Sequence, residues 1–131
     1  MKKERNVYIL ETADYKILQT VSLLNSEHYY PLPEGVFKIL TGSEDDDVIA
    51  FKDYPTYKTL ISYNSKKVSR LIVMLIRYHY LERVYDRATD KLYLKIAPKG
   101  ETDLLKYQKK HKYKFQQKKV NLKPTIVKLD I

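Results

Sequence analysis

The side chains best placed to do chemistry in this chain are cations, and they gather around one helix start. Asn64-Ser65 is an N-cap signal, and Lys66 and Lys67 follow it directly. The backbone N–H groups of Ser65, Lys66 and Lys67 lack intrahelical partners in such a helix, so they and the two ammonium groups form a site for a phosphate. Arg70 and Arg77 lie further along the polar face of the same helix. A basic hairpin comes next, carrying Arg83, Arg87, Lys91 and Lys95, with Tyr85 beside its turn and Lys99 just beyond it. Residues of this kind neutralise a polyanion; they do not cleave or transfer bonds.

Other chemistries find little support. There is no Gly-x-x-x-x-Gly-Lys-Ser/Thr and no Gly-x-Gly-x-x-Gly, and the chain has only 3 glycines, which argues against phosphate loops of those two kinds. With 0 cysteines, disulfides, iron–sulfur clusters and thiolate zinc sites are excluded. The run Glu44-Asp45-Asp46-Asp47 has the charge to hold Mg²⁺ for a nuclease. Four adjacent carboxylates cannot all point at one ion, so a solvated acidic loop is the expectation. His28, His79 and His111 are scattered, and no Gly-x-Ser-x-Gly elbow exists. We therefore assign no catalytic residue, no metal and no cofactor from the sequence.

The charge is unevenly spread. Residues 1–60 hold 7 Lys/Arg against 10 Asp/Glu, net −3, whereas residues 61–131 hold 18 against 6, net +12. A polyanionic partner for the second half follows from that polarity. From Lys106 to Lys119 there are seven lysines and no acid. That segment is either a DNA-tracking arm that orders on binding or a surface helix without a role. The longest apolar run, Leu71–Ile76, is too short to span a bilayer, so no membrane partner is expected. The protein reads as soluble and cytoplasmic, and as nucleoid-associated in a bacterial cell.

Periodicity supplies the elements that position these groups. A short apolar run at 7–10 is extended. Thr12 stands as N-cap to a helix at 13–25, with Asp14 in its first turn. A second helix covers 33–40, opened by Pro33 and closed by Gly42. A short helix is expected at 56–61. Residues 66–80 form the clearest amphipathic helix, with Val68, Leu71, Ile72, Leu75, Ile76 and His79 on the buried face. Two strands around a polar turn at 86–90 make a hairpin, with Leu92, Leu94 and Ile96 on one side and Tyr93 and Lys95 on the other. A last helix at 101–109 turns Leu104 and Leu105 inward, and residues 120–131 are extended, free to pair with 7–10. The fold class is mainly α with a small β-hairpin (α+β), a winged helix-turn-helix, with a domain at 1–105 and a basic extension at 106–131.

The order and spacing of several runs resemble one family. Thr12-Ala13-Asp14-Tyr15-Lys16-Ile17-Leu18 and Val36-Phe37-Lys38-Ile39-Leu40-Thr41-Gly42-Ser43 are similar to the start of the RecQ-C-terminal (RQC) domain. Tyr63-Asn64-Ser65-Lys66-Lys67-Val68-Ser69-Arg70-Leu71-Ile72, Tyr80-Leu81 and Leu92-Tyr93-Leu94-Lys95-Ile96-Ala97-Pro98-Lys99-Gly100 resemble its remainder. The resemblance covers about residues 11–105. It implies a winged helix that binds duplex or branched DNA. In RecQ helicases the wing carries an aromatic at or near its tip that wedges between base pairs; the tip at 86–90 here has none, with Tyr85 flanking it and Tyr93 further down. Together with the missing helicase core and zinc cysteines, that implies a free-standing minor member built to bind rather than unwind.

Two partners besides DNA stay open. Val73 and Met74 interrupt the polar face of the 66–80 helix. They meet thymine methyls, or a protein partner or second copy that also uses the C-terminal strand, or they are covered by the C-terminal segment. RNA is a weaker alternative polyanion. Most of the 13 tyrosines are expected half-buried with hydroxyls at the surface; Tyr85 is also placed to stack on a flipped base.

Overall fold

The computed structural model describes residues 8–109 and 125–129. Helix α1 (Thr12–Ser26) is followed by a short strand β1 (Tyr29–Pro31), then α2 (Pro33–Thr41). A turn-rich link containing one 3-10 turn at Ile49–Phe51 leads to α3 (Ser65–Arg77). Strands β2 (Leu81–Asp86) and β3 (Lys91–Ile96) form the hairpin, α4 (Pro98–Gln108) follows, and β4 (Ile126–Lys128) closes the order. Three helices feeding an antiparallel hairpin are a winged helix, a mainly helical α+β fold.

One core holds these elements. Ile17, Leu18 and Val21 of α1, Val36 and Leu40 of α2, Val68, Ile72 and Leu75 of α3, Leu81, Leu94 and Ile96 of the wing, and Leu104 of α4 are all buried together. A second cluster, Leu24, Ile39, Val48, Phe51, Tyr54 and Ile126, sits beneath the 45–60 link and β4. Burial of this many aliphatic side chains, at about 25 cal/mol per Å² of apolar surface, is the dominant favourable term.

Helix ends are set by local chemistry. The α1 N-cap is Glu11, not Thr12: the Asp14 carboxylate accepts from the Glu11 backbone N–H at 2.9 Å and from the Tyr8 hydroxyl at 3.0 Å. Tyr8 consequently titrates high, pushed up to about 12 by burial and by the Asp14 charge. Gly42, at φ 82°, ends α2 in the left-handed region that a Cβ disfavours. Helix α3 stops at Arg77, three residues earlier than periodicity suggests. The reason is a Schellman turn: Tyr80 N–H donates to the Leu75 carbonyl (2.8 Å) and His79 N–H to that of Ile76 (3.1 Å). This places His79 at φ 70°, a position usually given to glycine, and turns its side chain into solvent. The expected burial of His79 is thereby corrected.

Other expectations also need correction. Residues 56–61 are turns, not a helix, because Lys58 and Leu60 donate their N–H groups to the Ile39 and Leu40 carbonyls instead of to their own segment. The strand at 29–31 was masked in the sequence by two nearby prolines. It takes β4 as partner, with Tyr29 opposite Lys128 and Pro31 opposite Ile126, so β4 does not pair with residues 7–10. Leu105 faces solvent while Leu104 is buried. In β3, Tyr93 is fully buried and Leu92 is exposed, because β3 packs against both α1 and β1 near its base while Leu92 lies beyond the core.

The acidic run is no solvated loop throughout. Lys38 Nζ lies 3.0 Å from Asp47, 3.1 Å from Asp45 and 3.6 Å from Glu34. Asp47 is buried, and the Thr125 hydroxyl also donates to it. Burial alone would raise the Asp47 pKa, but the Thr125 and Lys38 contacts outweigh it and hold the carboxyl below its usual range. The run is a strut that fastens the C-terminal strand to α2.

Candidate nucleic-acid interface

Helix α3 is capped by its own sequence. Asn64 Oδ1 accepts from Lys67 N–H at 2.8 Å, and Val68 N–H donates to the Asn64 carbonyl. The expected three free amides at 65–67 are therefore two, those of Ser65 and Lys66. Lys67 Nζ lies 4.7 Å from the centroid of the Tyr63 ring, a cation–π contact that fixes its direction.

Burial of Val68, Ile72 and Leu75 turns the opposite side of α3 outward. At 3.6 residues per turn, Lys66, Arg70, Val73 and Arg77 fall within an arc of about 60° on that side. All four are exposed, Val73 to 47%. The described part of the C-terminal segment does not cover Val73, because β4 lies against β1; Met74 is half-buried. Among the described residues every ion pair belongs to Lys38, so Lys66, Arg70 and Arg77 carry unneutralised charge.

The wing divides its cations between two faces. Pairing of Leu81 with Ile96, Arg83 with Leu94 and Tyr85 with Leu92 puts Arg83 and Tyr85 on one face. Lys91 and Lys95 are on the other, opposite Asp86 and Glu82. Arg87 stands in the turn, and all of these basic residues are exposed. Tyr85 (53% exposed) and Leu92 (49%) form an apolar cross-strand pair near the tip. The Tyr85 hydroxyl donates to Asp90, which raises the phenol's pKa, and the Asp86 carboxylate accepts from Thr89 N–H and Oγ1 to tie the turn. At the wing's base, Asn25 of α1 accepts from Ile96 N–H at 2.7 Å and donates to the Tyr29 carbonyl at 3.0 Å. This clamp was not foreseen; an asparagine in a helix's last turn was its only trace in the sequence.

Lys99, in the first turn of α4, donates to the Tyr78 carbonyl at 3.1 Å and lies 4.5 Å from the Tyr80 ring centroid. It borders Arg77 and His79 around a pocket of about 400 Å³. So α3 and the junction with α4 collect Ser65, Lys66, Arg70, Arg77 and Lys99, while the wing holds Arg83 and Tyr85 on the face away from Lys91 and Lys95, with Arg87 in its turn. Among the described residues no group of three His, Asp or Glu side chains is placed to hold a metal. No helix there is long and apolar enough to cross a membrane.

The model of the RQC domain family matches residues 15–122. The chain belongs to the RQC family. RQC domains are the winged-helix modules of RecQ helicases; they generally bind DNA, mediate protein interactions and are not catalytic domains. The match takes in α1 from Tyr15 onward and all of α2, α3, the wing and α4, so the wing and α3 lie within the family's own span. Comparison with curated proteins finds no match.

Proposed function

We propose that this RQC domain binds duplex or branched DNA without catalysis, holding the phosphate backbone between α3 and the Arg83 side of the wing. One observation carries the reading: Lys66, Arg70 and Arg77 share an exposed stripe directly opposite the buried face of α3, with no carboxylate paired to any of them among the described residues. Unpaired cations on a rigid helix fit a surface that a polyphosphate completes. Two free amides at Ser65 and Lys66 add donors at one end of the stripe. Arg83 and Arg87 supply further exposed cations on the wing, and Tyr85 with Leu92 offers an apolar pair to sugars or an exposed base. Titration of labelled duplex, forked and single-stranded DNA at two salt concentrations tests the proposal. Affinity that falls steeply with salt is expected; no binding at low salt refutes it.

Exposure of Val73 in the middle of the stripe favours a second reading, docking on a protein or on a second copy of the chain. A complex that survives nuclease treatment, or a dimer by light scattering, would support that reading. Competition between RNA and DNA of equal length separates the two nucleic acids.

A further inference from the structure

We propose that the pocket bordered by Arg77, Tyr78, His79 and Lys99 is a phosphate-binding subsite that takes one phosphate group of the bound DNA at the C-terminal end of α3. The inference deepens the DNA-binding reading and rests on it. Its lining supplies a guanidinium, an imidazole and an ammonium and, among the described residues, contains no carboxylate. A volume of about 400 Å³ is ample for a phosphate with its attached sugar.

The end of a helix is an unpromising place for an anion, because the last carbonyls carry negative partial charge. Two features here reverse that. Lys99 donates to the Tyr78 carbonyl, covering the α3 terminus with a cation, and the Schellman turn occupies the carbonyls of Leu75 and Ile76. Lys99 also belongs to the first turn of α4, the positive end of that helix. Arg77 is then left without a carboxylate partner among the described residues, at the pocket's edge and in line with Lys66 and Arg70.

His79 is the second line of support. It occupies the left-handed backbone region at φ 70°, where glycine would be the cheaper residue by roughly 1 kcal/mol. A side chain retained at a strained, exposed position beside two cations points to a use for that side chain. An imidazole N–H donates to a phosphate oxygen whichever protonation state it holds.

The test uses the whole chain carrying Arg77→Gln together with His79→Gly. Glycine suits φ 70°, so the thermal midpoint should stay the same or rise. Affinity for duplex DNA should fall about tenfold, and the slope of log affinity against log salt should shrink by about 1. Three probes locate the phosphate: a blunt duplex with 5′-phosphates, the same duplex with 5′-hydroxyls, and a dumbbell closed at both ends. Equal losses on all three assign the pocket to an internal phosphodiester. A loss confined to the phosphorylated duplex assigns it to a terminal phosphate. A variant that matches the parent on all three probes, with the same salt slope, overturns the subsite while DNA binding itself stands. A parent chain that binds no DNA removes both proposals.

Discussion

Replacing Lys66 and Arg70 by glutamine tests the α3 stripe with little structural side effect. Both side chains are exposed and neither caps the helix, since Asn64 does that. Their loss should change stability by no more than about 0.5 kcal/mol. Lys67 is left alone because its ammonium sits on the Tyr63 ring, and changing it would mix folding with binding. If Lys66, Lys67, Arg70, Arg77, Arg83 and Arg87 each meet a phosphate, the parent chain should show a log–log salt slope of about −5.4, at about 0.9 per contact. The double variant should show about −3.6. At about 0.1 M salt the two missing contacts correspond to about a 60-fold loss. That loss equals about 2.4 kcal/mol of binding free energy. Fluorescence anisotropy on a labelled duplex, from about 50 to about 200 mM salt, reads both quantities. Parallel salt plots for parent and variant would refute the reasoning, because they would mean that neither cation releases a counterion on binding.

The wing should behave asymmetrically. Arg83→Gln with Arg87→Gln is expected to weaken binding more than about 10-fold, and Lys91→Gln with Lys95→Gln by less than about 3-fold, since the latter pair faces Asp86 and Glu82; gel shifts of the two variants decide. Asp47, with its carboxyl pKa held below the unfolded value, contributes stability that is present above that unfolded value and lost as pH falls through the folded one. Asp47→Asn should therefore lower the melting temperature at neutral pH and flatten the acid limb below about pH 4, measured by thermal melts across pH. Gly100→Ala should destabilise the fold by about 3 kcal/mol in chemical denaturation, because its Cβ would lie 2.2 Å from the Tyr80 carbonyl oxygen.

Helices were legible where hydrophobic period and end signals agreed. Pro33 and Gly42 bracket α2, and Asn64 starts α3, all visible as residue types. The end of α3 was not legible, because the left-handed cap is His79 and histidine gives no turn signal comparable to glycine. Pairing of β1 with β4 joins residues almost a hundred positions apart, and three-residue strands carry too little alternation to announce a partner. Asp47 looked like one more solvated carboxylate; only the arrival of Thr125 and Lys38 in space makes it a buried strut. The candidate cations were readable from composition and periodicity. The division of the wing's basic residues by face was not, because it depends on register, and moving the pairing by one residue would exchange the faces.

Charge segregation in the sequence becomes charge segregation in space, and this bears directly on function. The acidic half contains its charge internally: Glu34, Asp45 and Asp47 converge on Lys38. Among the described residues, the basic half does not use the same device. Lys66 and Arg70 stand one turn apart on α3, a like-charge pair that destabilises an isolated helix by a few tenths of a kcal/mol. Carboxylates oppose Lys91 and Lys95 on one wing face, yet Arg83 faces Leu94 across the hairpin and shares its face with Tyr85 and Leu92, none of them acidic. A chain shaped by folding stability alone would gain by placing glutamates among these cations. Keeping them unpaired on the face of α3 turned away from the core is a small standing cost that a bound polyanion would remove. On the proposed reading, the contacts that relieve the repulsion would be the ones that supply the affinity.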